Sequence, residues 1–173
     1  MNRTLEASHS PQHPEPILVI GVGNADRGDD AVGLLVARKV AEWGLAGVEI
    51  VESEGDVSQI LDLFERHATV LVIDAIKSAN SAGTIICFEV NEAPLPQKFS
   101  SGSTHALGLA VAIDLAQTLN QLPPRLTVFG IVGENFAIGS KVSAAVDRAI
   151  PEVANRISEK IRAIGMTPGD GAR

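Results

Sequence analysis

Apolar residues along this chain fall into short runs, and the stretches between them carry helical periodicity. Five runs read as strands: Ile17–Gly23, Val48–Ser53, Thr69–Asp74, Thr84–Val90 and Arg125–Val132. Most are apolar on both faces, the pattern of a parallel sheet covered on each side. Asp30 to Trp43 places Leu34, Leu35, Val36, Ala37, Val40 and Ala41 at helical spacing, and Ser58 to Arg66 does the same with Ile60, Leu61, Leu63 and Phe64. His105 to Leu122 is apolar nearly all round, which predicts a well-buried helix. Ser140 to Ile164 predicts a long last helix that Pro151 should kink or split.

This alternation of strand and helix predicts a three-layer α/β/α sandwich. One junction departs from the parallel rule. Asp74 to Thr84 is too short for a helical crossover, which takes about a dozen residues or more. The strand at Thr84–Val90 should therefore run antiparallel to a neighbour, giving a mixed, mostly parallel five-stranded sheet. No internal repeat or interdomain linker is visible. A length of 173 residues suits one domain. The expected organisation is a disordered tail over residues 1–15, a single α/β domain over 16–166, and a second tail over 167–173.

Composition refines this picture. The apolar fraction is 45% but aromatics are only 3%, so Val, Ile, Leu and Ala must build the core. A net charge of −7 repels nucleic acid and anionic membranes, which excludes both as partners. No stretch reaches the roughly 18 apolar residues of a membrane span. The polar N-terminus, rich in Pro and His, is not a signal peptide. The lone Cys87 cannot form an internal disulfide, and its apolar run predicts a small buried hydrophobe. A cytoplasmic location is expected. His9 and His13 lie in the first tail, where a mobile ligand would lose entropy on binding, and His67 beside Arg66 reads as an exposed helix end.

Candidate chemistry concentrates in three residues at strand-to-helix edges: Asp30, Asp74 and His105. The turn Ile20-Gly-Val-Gly-Asn-Ala-Asp-Arg-Gly-Asp-Asp30 follows the first strand and opens the first helix. Its third dinucleotide-type glycine position falls on Asp26, and Asp29 and Asp30 occupy the helix start, where a phosphate needs bare amides. Two carboxylates there attract a cation instead. The structural alternative for the pair is helix capping, which one of them could do while leaving the other free. Asp74 ends a buried strand, on the ligand-binding edge of an open α/β sheet, with a turn residue as the alternative. His105 falls in the first turn of its helix, where the positive end of the dipole favours the neutral ring that a metal requires; it could equally be a plain polar residue there. Two oxygens and one nitrogen suit Ni, Zn, Mn or Fe, and three protein ligands leave coordination positions open. No G-x-S-x-G elbow appears, and Ser53, Ser100, Ser101 and Ser103 have no evident base beside them.

These motifs together resemble a known family. Gly21-Val-Gly-Asn24 with Asp29-Asp30, then Asp74-Ala-Ile76, then His105-Ala-Leu-Gly-Leu109, are similar to the hydrogenase maturation endopeptidases, and the similarity runs from Ile17 to about Ile164. The resemblance implies an α/β/α fold. It also implies an enzyme that removes the C-terminal extension of a NiFe-hydrogenase large-subunit precursor after nickel insertion. It places the family's metal-contacting residues on Asp30, Asp74 and His105, with nickel supplied by the substrate. Some relatives carry Glu where Asp30 stands, so the reach here is one methylene shorter. Three readings follow: a metal-dependent endopeptidase, a non-cleaving nickel-dependent chaperone or checkpoint that docks the precursor, and a nucleotide-dependent α/β enzyme. A monomer is expected.

Overall fold

The structure, a computed structural model, describes residues 16–92 and 104–165, with the side chains of 104–107 outside that description. The two expected tails therefore fall outside the described residues. The elements follow in order: β1 (Ile17–Val22), a 3-10 turn (Gly28–Ala31), α1 (Val32–Ala41), β2 (Val48–Ser53), α2 (Val57–Arg66), β3 (Thr69–Ile76), β4 (Ile85–Glu89), α3 (Thr104–Thr118), β5 (Arg125–Val132) and α4 (Ala144–Gly165).

The sheet has five strands in the order β2-β1-β3-β5-β4. β2, β1, β3 and β5 are parallel and β4 is antiparallel to β5, as the short junction before it requires. β3 is central and buried along its whole length. Side chains alternate between two cores. Leu18, Ile20, Val70, Val72, Leu126 and Val128 pack with Ile60, Phe64, Leu109 and Ile113 of α2 and α3. Val19, Leu71, Ile73, Phe129 and Ile131 pack with Val32, Val36, Val153 and Ile157 of α1 and α4. This is the predicted three-layer sandwich.

Two glycines set the close approaches that shape the upper edge, where the parallel strands end. A Cβ on Gly33 would lie 2.1 Å from the Val22 carbonyl oxygen and 2.5 Å from that of Ile73, so α1 can press onto β1 and β3 only with glycine there. A Cβ on Gly108 would lie 2.1 Å from the Gly55 carbonyl oxygen, which brings the first turns of α3 against the loop between β2 and α2.

Several local expectations are corrected. The segment after Gly28 begins as a 3-10 turn, and α1 starts only at Val32, so Asp30 sits before the helix. α3 stops at Thr118 because Asn120 takes a left-handed φ of 54° and the Gln121 N–H reaches back to the Ala116 carbonyl at 2.7 Å. α3 is also less buried than its composition predicted: Val111, Leu115 and Leu119 face solvent on one stripe. α4 starts at Ala144 and continues unbroken through Pro151. Pro151 lies on the exposed face, where water can reach the Asp147 carbonyl that loses its helical partner. Cys87 is exposed, because β4 is an edge strand only partly covered by α4. His67 is buried: its Nδ1 lies 2.8 Å from the Leu63 carbonyl at the end of α2, and its Nε2 lies 3.0 Å from Glu49 of β2.

Candidate active site at the carboxyl edge of the sheet

The strand order fixes where a site belongs. The chain leaves β1 through α1 toward β2 on one side, and leaves β3 toward β4 on the other. The crevice between the carboxyl ends of β1 and β3 is therefore the topological switch point, where open α/β sheets bind ligands. Asp30 follows β1 and Asp74 lies near the end of β3, one on each wall of that crevice.

Asp74 does not end its strand, as the sequence suggested; β3 runs two residues further, to Ile76. By strand alternation Asp74 shares the face of Val70, Val72 and Ile76, the face covered by α2 and α3. Its register partner on β5 is Gly130, which sets no side chain beside it. Asp30 is held in the 3-10 turn, with its amide donating to the Arg27 carbonyl at 3.2 Å.

Both carboxylates are fully buried. Among the described residues, nothing donates a hydrogen bond to any of their four oxygens. That overturns the turn-residue reading of Asp74 and the capping reading of Asp30, since either would occupy an oxygen. Burial pushes the Asp74 carboxyl well above the ordinary aspartate range, and the nearby charge of Asp30 pushes it further. The Ala75 amide eases this slightly without closing a hydrogen bond. Buried acceptors are normally satisfied, and an unsatisfied pair costs stability. A cation answers both needs at once, since it supplies a ligand for the orphaned oxygens and cancels their repulsion. The chemistry of the pair thus fits a metal ion.

Asp29 has a different fate. Its Oδ2 accepts from the amides of Glu134 (2.8 Å) and Asn135 (3.0 Å), and its Oδ1 accepts from the amide of Ser143 (2.6 Å). Burial works to raise its pKa, but these amides outweigh burial and hold the carboxyl below its usual value. Asp29 is therefore a brace between the first turn and the loop after β5, and not a cap on its own helix.

His105 stands in the first turn of α3. α3 ends near Pro123 and Pro124, at the amino edge where β5 begins, so it starts at the carboxyl edge with the two aspartates. The Gly108–Gly55 approach fixes that start close to the end of β2. The His105 side chain lies outside the described atoms. Among the described residues, no group of three metal-ligating side chains assembles, and Asp30 and Asp74 supply two. Ser53 donates to Gln59 Oε1 at 2.7 Å, an amide and not a base. An apolar hollow of about 560 Å³ lies at the opposite edge among Ile17, Thr69, Arg125 and Ile161, away from this chemistry.

A mixed α/β sandwich with paired buried carboxylates at its switch point defines the class of protein to which comparison then gives a family. The family model described as hydrogenase maturation protease matches residues 35–160, and the chain belongs to that family. It is 25% identical over 166 residues to the hydrogenase expression/formation protein HupD of Rhodobacter capsulatus, covering 92% of this chain and 77% of that one. It is 25% identical over 154 residues to the hydrogenase 2 maturation protease of Escherichia coli K12, covering 87% and 93%. Its fold is also that of the hydrogenase maturating endopeptidase HybD of E. coli, with a TM-score of 0.75 at 24% identity over 87% of this chain and 94% of that one.

The role of Asp29 was missed at the level of sequence. The available signal was that two consecutive acids before one short helix cannot both cap it. What the second acid holds is decided by a loop more than a hundred residues away.

Proposed function

We propose that this protein is an endopeptidase that removes the C-terminal extension of a NiFe-hydrogenase large-subunit precursor once nickel is in place. The observation that carries this reading is the pair of buried carboxylates with four unpartnered oxygens at the switch point. The maturation protease family supports the hydrolytic part of the reading. Nickel belongs to the substrate here: the precursor presents it, and Asp30, Asp74 and His105 complete its coordination. Such an ion polarises a peptide carbonyl or a water. The task of the chain itself is to hold two anionic oxygens and one ring nitrogen at a fixed crevice, shielded from bulk water, so that only a metal-loaded precursor seats well. In this reading the protein works as a monomer in the cytoplasm, where it meets newly made precursor.

The test is a processing assay with nickel-loaded and nickel-free precursor, read by the mass of the large subunit. The expected result is loss of a C-terminal fragment from the loaded form alone. Asp74→Asn and His105→Ala should each reduce cleavage by at least about 10²-fold while leaving the circular dichroism spectrum intact. A fully active variant would remove that residue from the site. A stable complex with uncut precursor would instead identify a non-cleaving checkpoint.

A further inference from the structure

The loop from β5 to α4, residues 133–143, lies directly against the turn that carries Asp30, and its construction is unusual for a connection. Connecting loops are normally the mobile part of a fold. This one is fastened at several points. The Asp29 amide donates to the Asn135 carbonyl at 2.8 Å, and the Asp29 carboxylate accepts from the Glu134, Asn135 and Ser143 amides. The Gly139 amide donates to the Asp26 carbonyl at 2.7 Å, and Arg27 Nε reaches the Phe136 carbonyl at 3.4 Å. Inside the loop, Ser140 Oγ donates to the Ala137 carbonyl at 2.6 Å.

The fastened loop holds an apolar side chain out in water. Ile138 is 82% exposed, more than any other large hydrophobic residue described. A single exposed aliphatic residue is ordinary on a protein surface. This one is distinguished by its setting. Its neighbour Gly139 is bonded to Asp26, four residues before Asp30, so the backbone beside Ile138 is tied to the turn that carries Asp30. A partner side chain that covers it would gain apolar burial without ordering a loop first, and that ordering is a main cost of association.

We propose that this loop is a wall of the substrate cleft, built to seat an apolar side chain of the polypeptide that runs past Asp30. Ile138 is the specificity-determining residue. Asp29 is the positioning residue that locks the wall to the turn holding the metal-contacting acid. The inference rests on the functional reading above, because it takes the occupant to be a peptide segment of the precursor near its metal. It adds that recognition is not left to the metal alone: an apolar contact beside Asp30 sets the register of the chain.

Initial rates measured over a range of nickel-loaded precursor concentrations test this, together with a binding titration of the same precursor. Ile138→Asp should raise KM and the dissociation constant by about tenfold or more while kcat stays close to wild type. Ile138→Leu should keep both near wild type. Asp29→Asn replaces an acceptor oxygen by a donor, so it should lower kcat as well as raise KM and speed amide exchange at Glu134, Asn135 and Ser143. Unchanged KM and binding in Ile138→Asp would overturn the seat, and that surface variant keeps the test open if Asp29→Asn fails to fold. Unchanged kcat and amide protection in a folded Asp29→Asn would overturn the lock. A wild-type protein that binds the precursor without cutting it would sink the protease reading while leaving the docking comparison intact. A precursor that neither binds nor is cut would overturn both.

Discussion

Asp74 allows the stability of the fold to be weighed against its chemistry. In the folded state its carboxyl prefers the proton, because burial and Asp30 oppose the charged form. An acid whose pKa is raised on folding lowers stability as pH climbs above its unfolded value, here near 3.8. Asp74→Asn removes that loss while keeping the shape. The melting temperature of the variant minus that of the wild type should therefore grow as pH rises from about 4 toward neutral, each kcal/mol appearing as roughly 2–4 °C. A difference independent of pH would show that the Asp74 charge is already compensated. Asp29 carries the opposite sign. Its carboxyl is held below the usual range by three amides, so its contribution is present above the unfolded pKa and is lost as pH falls through the folded one. Asp30 and Asp74 could be read from the chain as candidate carboxylates at strand-to-helix edges. The split between Asp29 and Asp30 could not, because it depends on which of them meets the amides of Glu134, Asn135 and Ser143.

At the scale of elements, the strands were legible to within a few residues, with Val48–Ser53 and Arg125–Val132 matching at both ends. Short continuous apolar runs rich in β-branched residues carry that information locally. Helix ends were less legible. The stop of α3 lies in one left-handed Asn, and α1 starts late because a 3-10 turn, whose Asp29 is bonded to the loop after β5, precedes it. The continuity of α4 through Pro151 depends on which face the proline takes, and that is set by packing against β5 and α1. The contact at Gly33 yields a direct test. Gly33→Ala would push a methyl into the backbones of β1 and β3, so unfolding free energy should fall by about 1–3 kcal/mol in a denaturant titration. Because α1 carries the Asp30 turn on its leading end, processing should fall along with stability. A variant as stable as wild type would mean that α1 can retreat freely from the sheet.

For the whole molecule, the two aspartates and the apolar hollow among Ile17, Thr69, Arg125 and Ile161 lie at opposite edges. The carboxyl edge holds the aspartates, while the hollow of about 560 Å³ lies at the amino edge, beside the exposed Ala46. Filling that hollow with Ala46→Trp should leave precursor processing unchanged in the mass assay, and a large loss would relocate the substrate path. The order of strands was not readable from sequence apart from the antiparallel sense of β4, because parallel neighbours leave no turn signal between them. That order places Asp30 and Asp74 across one crevice, so the site is a product of topology more than of any local motif. The unsatisfied oxygens there have an evolutionary consequence. A laboratory lineage selected only for heat tolerance would tend to replace the acid at position 74 with an amide or an alkyl group, and its most robust descendants would be well folded and inert. Continued presence of that acid in a natural lineage would then record selection for work done, at the expense of endurance.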